Sequence, residues 1–129
     1  MCIVFDKWIE IAEYDFASAK DMFKMGRYPY VAFMCHLAIE EILKAVIIFK
    51  TKFYPPRYNN LELLAKEAEL AEELNEEQKD VLMEISFFYK KIKYPYDFIN
   101  LKNALKKEDA AFVIKKTEEL LKWIKQKIK

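Results

Sequence analysis

Hydrophobic residues recur at helical spacing along nearly the whole chain, with polar residues on the opposite faces of the same segments. The first such segment predicts a helix from Val4 to Met25. Its apolar face consists of Phe5, Trp8, Ile9, Ala12, Phe16, Ala19 and Phe23. The single glycine, Gly26, ends this helix, because glycine readily adopts the left-handed conformation found after helix C-termini. Pro29 then favours the first turn of a second helix, from Tyr28 to Lys50.

The second half of the chain contains further helical patterns between proline and asparagine residues. Phe53–Asn60 is predicted to be a loop, and a short helix follows it from Leu61 to Leu70. Asn75 and Gln78 have the pattern of a capping box, which opens another helix. The inner stripe of that helix is Leu82, Ile85, Tyr89 and Ile92. We expect it to end at Tyr94-Pro95-Tyr96, since the residue before proline disfavours the helical conformation.

A linker is predicted from there through Asn103, before a last helix from Lys107 to Lys127. Five helices and no strand pattern predict an all-α, up-and-down helical bundle, with residues 1–129 as a single domain. The second helix is apolar nearly all round, so we expect it at the centre of the bundle. Leu, Ile, Lys, Glu and Ala dominate the composition, which is typical of this fold class.

Charge and aromatic content narrow the choice of partners. The charges of the 22 basic and 21 acidic residues nearly cancel, so the protein has no overall positive field that would attract nucleic acid. Ten Phe, eight Tyr and two Trp are more than a core of this length needs. We therefore expect some of them to form a homodimer surface, and a crowded core is the open alternative.

The cysteines and the start of the chain indicate the compartment. Cys2 and Cys35 lack the spacing of a metal site. Asp6 and Glu10 interrupt the apolar start, so it does not resemble a signal peptide. Apolar runs stop short of the roughly 18 uncharged residues that a membrane helix needs. We expect a reduced, cytoplasmic setting, with no membrane span, no metal and no cofactor.

Three polar side chains share one stripe of the otherwise apolar second helix. His36, Glu40 and Lys44 are four residues apart, slightly more than one helical turn. Buried groups of this kind contact one another or a polar partner, and Asp15 on the first helix is a further predicted partner. Two interpretations stay open. The four residues form a structural polar network, or the stripe lines a pocket for a base or phosphate.

A second set of candidate ligand-binding residues lies in the predicted loops: Arg57, Lys93, Tyr94 and Asp97. If the short third helix does not change the direction of the chain, the ends of helices two and four meet at one end of the bundle. Two cations and a phenol grouped there would suit a phosphate. In the alternative, Lys93 caps the carbonyl groups that end its helix, and Asp97 holds the turn.

Four stretches carry a likeness to a known family. They are the spacing of Trp8, Ala12, Asp15 and Ala19, the phrase His36-Leu-Ala-Ile-Glu40-Glu-Ile-Leu-Lys44-Ala, the proline loop before Leu61, and Lys93-Tyr94-Pro95. Together they resemble the HEPN family of small all-helical domains, which are related to a nucleotidyltransferase C-terminal domain. Leu37 and Glu41 stand where that family usually has glutamine and lysine. Lys93 stands where it has arginine, and the loop has Arg57-Tyr-Asn-Asn where many members have a histidine.

The resemblance also suggests a function. Many HEPN proteins are metal-independent ribonucleases with an Arg-x(4–6)-His motif, whose histidine transfers a proton while the arginine balances the developing charge. This chain lacks the motif, because Pro29, Tyr30 and Val31 occupy the positions at that distance before its only histidine. We therefore expect no catalytic residue. The leading hypothesis is a non-enzymatic homodimer that binds nucleotide or a protein partner, and the resemblance implies that this partner is a separate minimal nucleotidyltransferase chain.

Two alternatives from other classes stay open. One is a toxin-like ribonuclease in which Lys93 or Arg57 works with His36 across a dimer. The other is a purely structural interaction module. Contact with RNA is a further open alternative.

Overall fold

The computed structural model describes residues 5–128, which form six α-helices and no strand within that range. The helices are α1 (Phe5–Lys24), α2 (Tyr28–Thr51), α3 (Leu61–Glu67), α4 (Glu76–Ile92), α5 (Pro95–Ala104) and α6 (Lys107–Lys125). This confirms the all-α class and corrects the helix count from about five to six. Cys2 and the predicted start of the first helix at Val4 lie outside the described residues.

The additional helix, α5, occupies the segment that was predicted to be a linker. Pro95 lies in its first turn, and Tyr94 is its N-cap residue with an extended backbone. The linker prediction was wrong because Pro95 both ends α4 and begins α5. Proline suits the first helical position, since its fixed φ is helical and its missing N–H would have no partner there. Phe98 of α5 packs on Tyr30 of α2, with ring centroids 5.6 Å apart.

Helix ends follow the local signals in the sequence. Gly26 has a φ of +74°, as expected of the residue that ends α1. The side chain of Asn60 accepts a hydrogen bond from the backbone N–H of Leu63 and so caps α3. Asn75 and Gln78 form both hydrogen bonds of the predicted capping box at the start of α4.

Helix α2 is the central element, and fourteen of its 24 residues are buried. It is antiparallel to α1, because Phe5 packs on Phe49 and Phe23 packs on Tyr28. Full burial of each large aliphatic side chain contributes about 1.5–3 kcal/mol, so this helix supplies much of the apolar stabilisation. None of the described helices combines the length and hydrophobicity that crossing a bilayer requires.

The chain changes direction at α3. Asn59, just before α3, donates a hydrogen bond to the Tyr89 hydroxyl near the end of α4, at 3.2 Å. Just after α3, the carbonyl of Ala68 accepts a hydrogen bond from Lys50 near the end of α2, at 2.9 Å. Tyr89 in turn stacks on Phe33 near the start of α2. The loop after α2 therefore runs back along the bundle, and α2 and α4 end at opposite ends of it.

Candidate functional site

His36, Glu40 and Lys44 lie together on one stripe of α2, with Glu40 between the other two. Lys44 Nζ donates a hydrogen bond to Glu40 Oε2 at 3.1 Å. His36 Nδ1 lies 3.6 Å from Glu40 Oε1, which is too long for a hydrogen bond. Those two atoms are buried, and neither has a hydrogen-bond partner among the described residues. Glu40 is therefore held by the lysine more than by the histidine.

Aromatic rings flank the stripe at both ends. The imidazole of His36 stacks on the ring of Tyr89, with centroids 3.7 Å apart and planes 9° from parallel. Phe33 stacks on the same ring at 5.3 Å. At the other end, Lys44 Nζ lies 5.5 Å from the ring centre of Trp8, within the range of a cation–π interaction. Residues from α1 and α4 thus enclose the polar stripe of α2.

The loop between α2 and α3 passes along this stripe. Near its start, Tyr54 packs edge-on against Trp8, with centroids 6.3 Å apart. Near its end, Asn59 donates a hydrogen bond to Tyr89. Since Trp8 and Tyr89 flank the stripe, the loop spans it from end to end. Pro55, in the middle of the loop, is buried.

Burial determines the charge of His36. Its side chain is 2% exposed, and the loss of hydration lowers the pKa of the imidazole to about 3. The positive charge of Lys93 lowers this pKa further. The imidazole is therefore neutral at pH 7. A general base works best with a pKa near the ambient pH, and the pKa of His36 lies well below it.

Glu41, the next residue along α2 from Glu40, forms a carboxyl pair with Asp15 of α1. Burial raises the pKa of Glu41 to about 9, and the hydrogen bond with Asp15 and the negative charges of Asp15 and Glu40 add to the effect. Two carboxyl groups can share a hydrogen bond only if one of them is protonated, so Glu41 holds a proton at neutral pH. Asp15 was expected to contact the stripe itself. It instead contacts Glu41, the residue next to Glu40.

Three of the other candidates, Lys93, Tyr94 and Asp97, lie around the end of α4. Lys93 is the C-cap residue of α4, and its Nζ lies 4.5 Å from the ring centre of Tyr89. Tyr94 is exposed, and Asp97 is in the first turn of α5. Arg57 is exposed in the loop that hydrogen-bonds Tyr89. The sequence grouped all four on the condition that α3 does not change the direction of the chain. The structure does not meet that condition, because the chain reverses at α3 and α2 and α4 end at opposite ends of the bundle.

Comparison with known proteins gives one match. The family model of the HEPN domain matches residues 5–128. The chain belongs to the HEPN family. No curated protein and no solved structure matches it. Within the described part of this HEPN domain, no three His, Cys, Asp or Glu side chains come together in a way that could hold a metal ion.

Sequence reasoning missed the residues that enclose the stripe of this HEPN domain. Trp8 and Tyr89 were assigned to apolar helix faces, and Asn59 to a loop, with no role beside the stripe. The sequence does indicate that these residues have polar contacts, since each is an amphipathic or polar residue next to a predicted core. It does not indicate which residues on another helix each of them contacts.

Proposed function

We propose that this HEPN domain is a non-enzymatic binding domain, which works as a homodimer and takes a nucleotide or a separate nucleotidyltransferase chain as its partner. The observation that supports this most is the state of its one histidine. His36 is buried, neutral at pH 7 and stacked on Tyr89. A ribonuclease of this family needs a histidine that reaches the scissile phosphate and exchanges a proton there.

Two exposed cations, Arg57 and Lys93, support the binding of an anion. Neither Arg57 nor Lys93 forms an ion pair with a carboxylate in the described part of the chain. Guanidinium and ammonium groups are the usual partners of phosphate, and Tyr94 adds an exposed phenol. In this proposal Arg57, Lys93, Tyr94 and Asp97 contact the ligand, and the stripe of His36, Glu40 and Lys44 supports them.

The homodimer and the nucleotidyltransferase partner rest on the family resemblance and on exposed aromatic rings. Those that are clearly exposed in the described residues are Tyr14, Tyr30, Phe53, Tyr54, Tyr58, Phe87, Tyr94, Tyr96 and Phe112. Rings of this size stabilise interfaces well when a partner covers them. Light scattering at micromolar concentration should give the mass of a dimer. We also expect the chain to work in the cytoplasm, as the sequence suggested.

The test against a nuclease is incubation of the purified protein with single-stranded and structured RNA, followed by a denaturing gel. We expect no cleavage above a blank preparation. Cleavage that is lost in Lys93→Ala, Arg57→Ala or His36→Gln would overturn the proposal. All three variants are included because the change at His36 alters the core, whereas the other two change exposed side chains.

The test for binding is a thermal shift with ATP and other nucleotides. A ligand at about 100 times its dissociation constant adds roughly 2.7 kcal/mol to the free energy of unfolding. The double variant Arg57→Ala/Lys93→Ala should lose the shift, whereas Lys24→Ala/Lys122→Ala removes two exposed cations elsewhere and should keep it. If no nucleotide shifts the wild type and no nucleotidyltransferase co-purifies in a native pull-down, only the structural module remains.

A further inference from the structure

Negative charge is concentrated on α3 and the first half of α4. Residues 62–84 contain nine carboxylates and two lysines, although the whole chain has a net charge of +1. Helix α6 neutralises one of these carboxylates through the ion pair of Lys116 with Glu77. Lys127, just after α6, pairs with Glu73 at 2.7 Å. The surface keeps a clear excess of negative charge after these pairs are counted.

A groove of about 460 Å³ runs between α3 and α4 within this acidic surface. The buried side chains of Ala65, Leu74 and Leu82 form its floor. Two apolar side chains on its walls stay open to solvent: Leu63 is 47% exposed and Met83 is 58% exposed. The charged residues that line it are Glu62, Lys66, Glu76, Lys79 and Asp80, and Lys79 pairs with Glu76 at 3.7 Å.

We propose that this groove docks a basic amphipathic helix of a protein partner. The apolar face of the partner helix would lie between Leu63 and Met83, because helix-in-groove recognition uses side chains spaced one turn apart on one face. Methionine suits such a role, since its flexible side chain adapts to the shape of an incoming group. The lysines or arginines of the partner would flank the stripe and meet the surrounding carboxylates.

Charge complementarity selects this occupant over others. Phosphate groups of a nucleotide or a nucleic acid strand would be repelled by an acidic surface, and so would an acidic peptide. The lining has three carboxylates and two lysines, and residues 62–84 as a whole have nine carboxylates and two lysines, so a partner that combines an apolar stripe with positive charge fits the groove and its surroundings. The groove lies along the first half of α4, whereas the proposed anion site lies at the end of that helix. Either proposal can therefore be wrong without affecting the other.

The experiment uses the full chain and a fluorescent synthetic peptide of leucine and lysine, about four turns long, with its leucines on one face of a helix. Anisotropy titrations measure its affinity for the wild type, for Met83→Lys and for Ile99→Lys. Ile99 is 51% exposed on α5, so its variant is a matched control outside the groove. Both substitutions are on the surface, and circular dichroism verifies that both variants fold.

We expect Met83→Lys to weaken binding at least tenfold and Ile99→Lys to leave it unchanged. A peptide with glutamate in place of lysine should not bind. The proposal is overturned if the basic peptide fails to bind, if both variants bind it equally, or if the acidic peptide binds as well. A Met83→Lys variant that dissociates the wild-type oligomer would also overturn it, because a second copy of the chain would then be the occupant.

Discussion

The imidazole of His36 and the phenol ring of Tyr89 lie nearly parallel, with 3.7 Å between their centroids, and this contact joins α2 to α4. Lys93, one turn after Tyr89, has its ammonium group over the same ring. The stack removes water from one face of the imidazole and places a cation near it, and both effects favour the neutral form. The histidine that a ribonuclease would use is here part of the helix packing.

The hydroxyl of Tyr89 connects this packing to the loop. In Tyr89→Phe the ring still stacks on His36, but Asn59 loses its hydrogen-bond acceptor. We expect a loss of about 1 kcal/mol in the free energy of unfolding, measured by urea denaturation. Amide hydrogen exchange should accelerate in residues 52–60. In the control Tyr96→Phe, whose side chain is exposed, neither quantity should change, and equal effects in both variants would show that the hydroxyl has no such role.

The ammonium group of Lys44 compensates the charge of Glu40. In Lys44→Met the apolar part of the side chain remains, but the carboxylate is left mostly buried without its cation. Removing one partner of a buried pair typically costs 3–5 kcal/mol, and we expect a loss near the lower bound because Glu40 keeps some exposure. The double variant Glu40→Gln/Lys44→Met should recover part of it. A double-mutant cycle by urea denaturation measures the coupling, and additive effects would contradict an interaction between the two side chains.

The proton held by Glu41 makes stability depend on pH. In the unfolded chain the carboxyl group has a pKa near its ordinary value of 4.5, and burial and the Asp15 carboxyl raise the pKa to about 9 in the folded chain. Between these values the folded state binds more protons than the unfolded state, so the free energy of unfolding falls as pH rises. Glu41→Gln removes this dependence, because an amide donates to Asp15 without taking up a proton.

The full shift would make Glu41→Gln more stable than the wild type by roughly 5 kcal/mol at pH 8. Because Glu41 is only partly buried and solvent screens its charge, we expect about 2 kcal/mol at pH 8, and much less at pH 5. Urea denaturation at several pH values between 5 and 9 provides the comparison. Glu84→Gln, at an exposed position of α4, is the control and should follow the wild type at every pH. A wild type whose stability does not fall across this range would show that Glu41 is ionised in the folded state.

Local features of this chain were predictable and contacts across the bundle were not. The spacing of His36, Glu40 and Lys44 put them on one stripe because helical geometry depends only on sequence distance. The capping box at Asn75 followed from hydrogen bonds within one turn. Helix α5 was missed because Pro95 both ends one helix and starts the next, and the local sequence favours neither role alone.

The surroundings of the stripe depend on tertiary structure. The reversal of the chain at α3 has two consequences. It brings Tyr89 onto His36, and it returns the loop to both flanking rings. A segment of seven helical residues has no strong directional signal in its sequence. The pairing of Asp15 with Glu41 likewise depends on how α1 rotates about its axis against α2.

The most direct test of the central claim, that His36 belongs to the packing and not to a catalytic site, is a pH titration of its imidazole by nuclear magnetic resonance. Because the chain has a single histidine, its ring signals are assigned without ambiguity. We expect these signals to stay those of a neutral imidazole from pH 8 down to pH 5, since the pKa is about 3. A titration midpoint near the ordinary histidine value of about 6.5 would contradict the account.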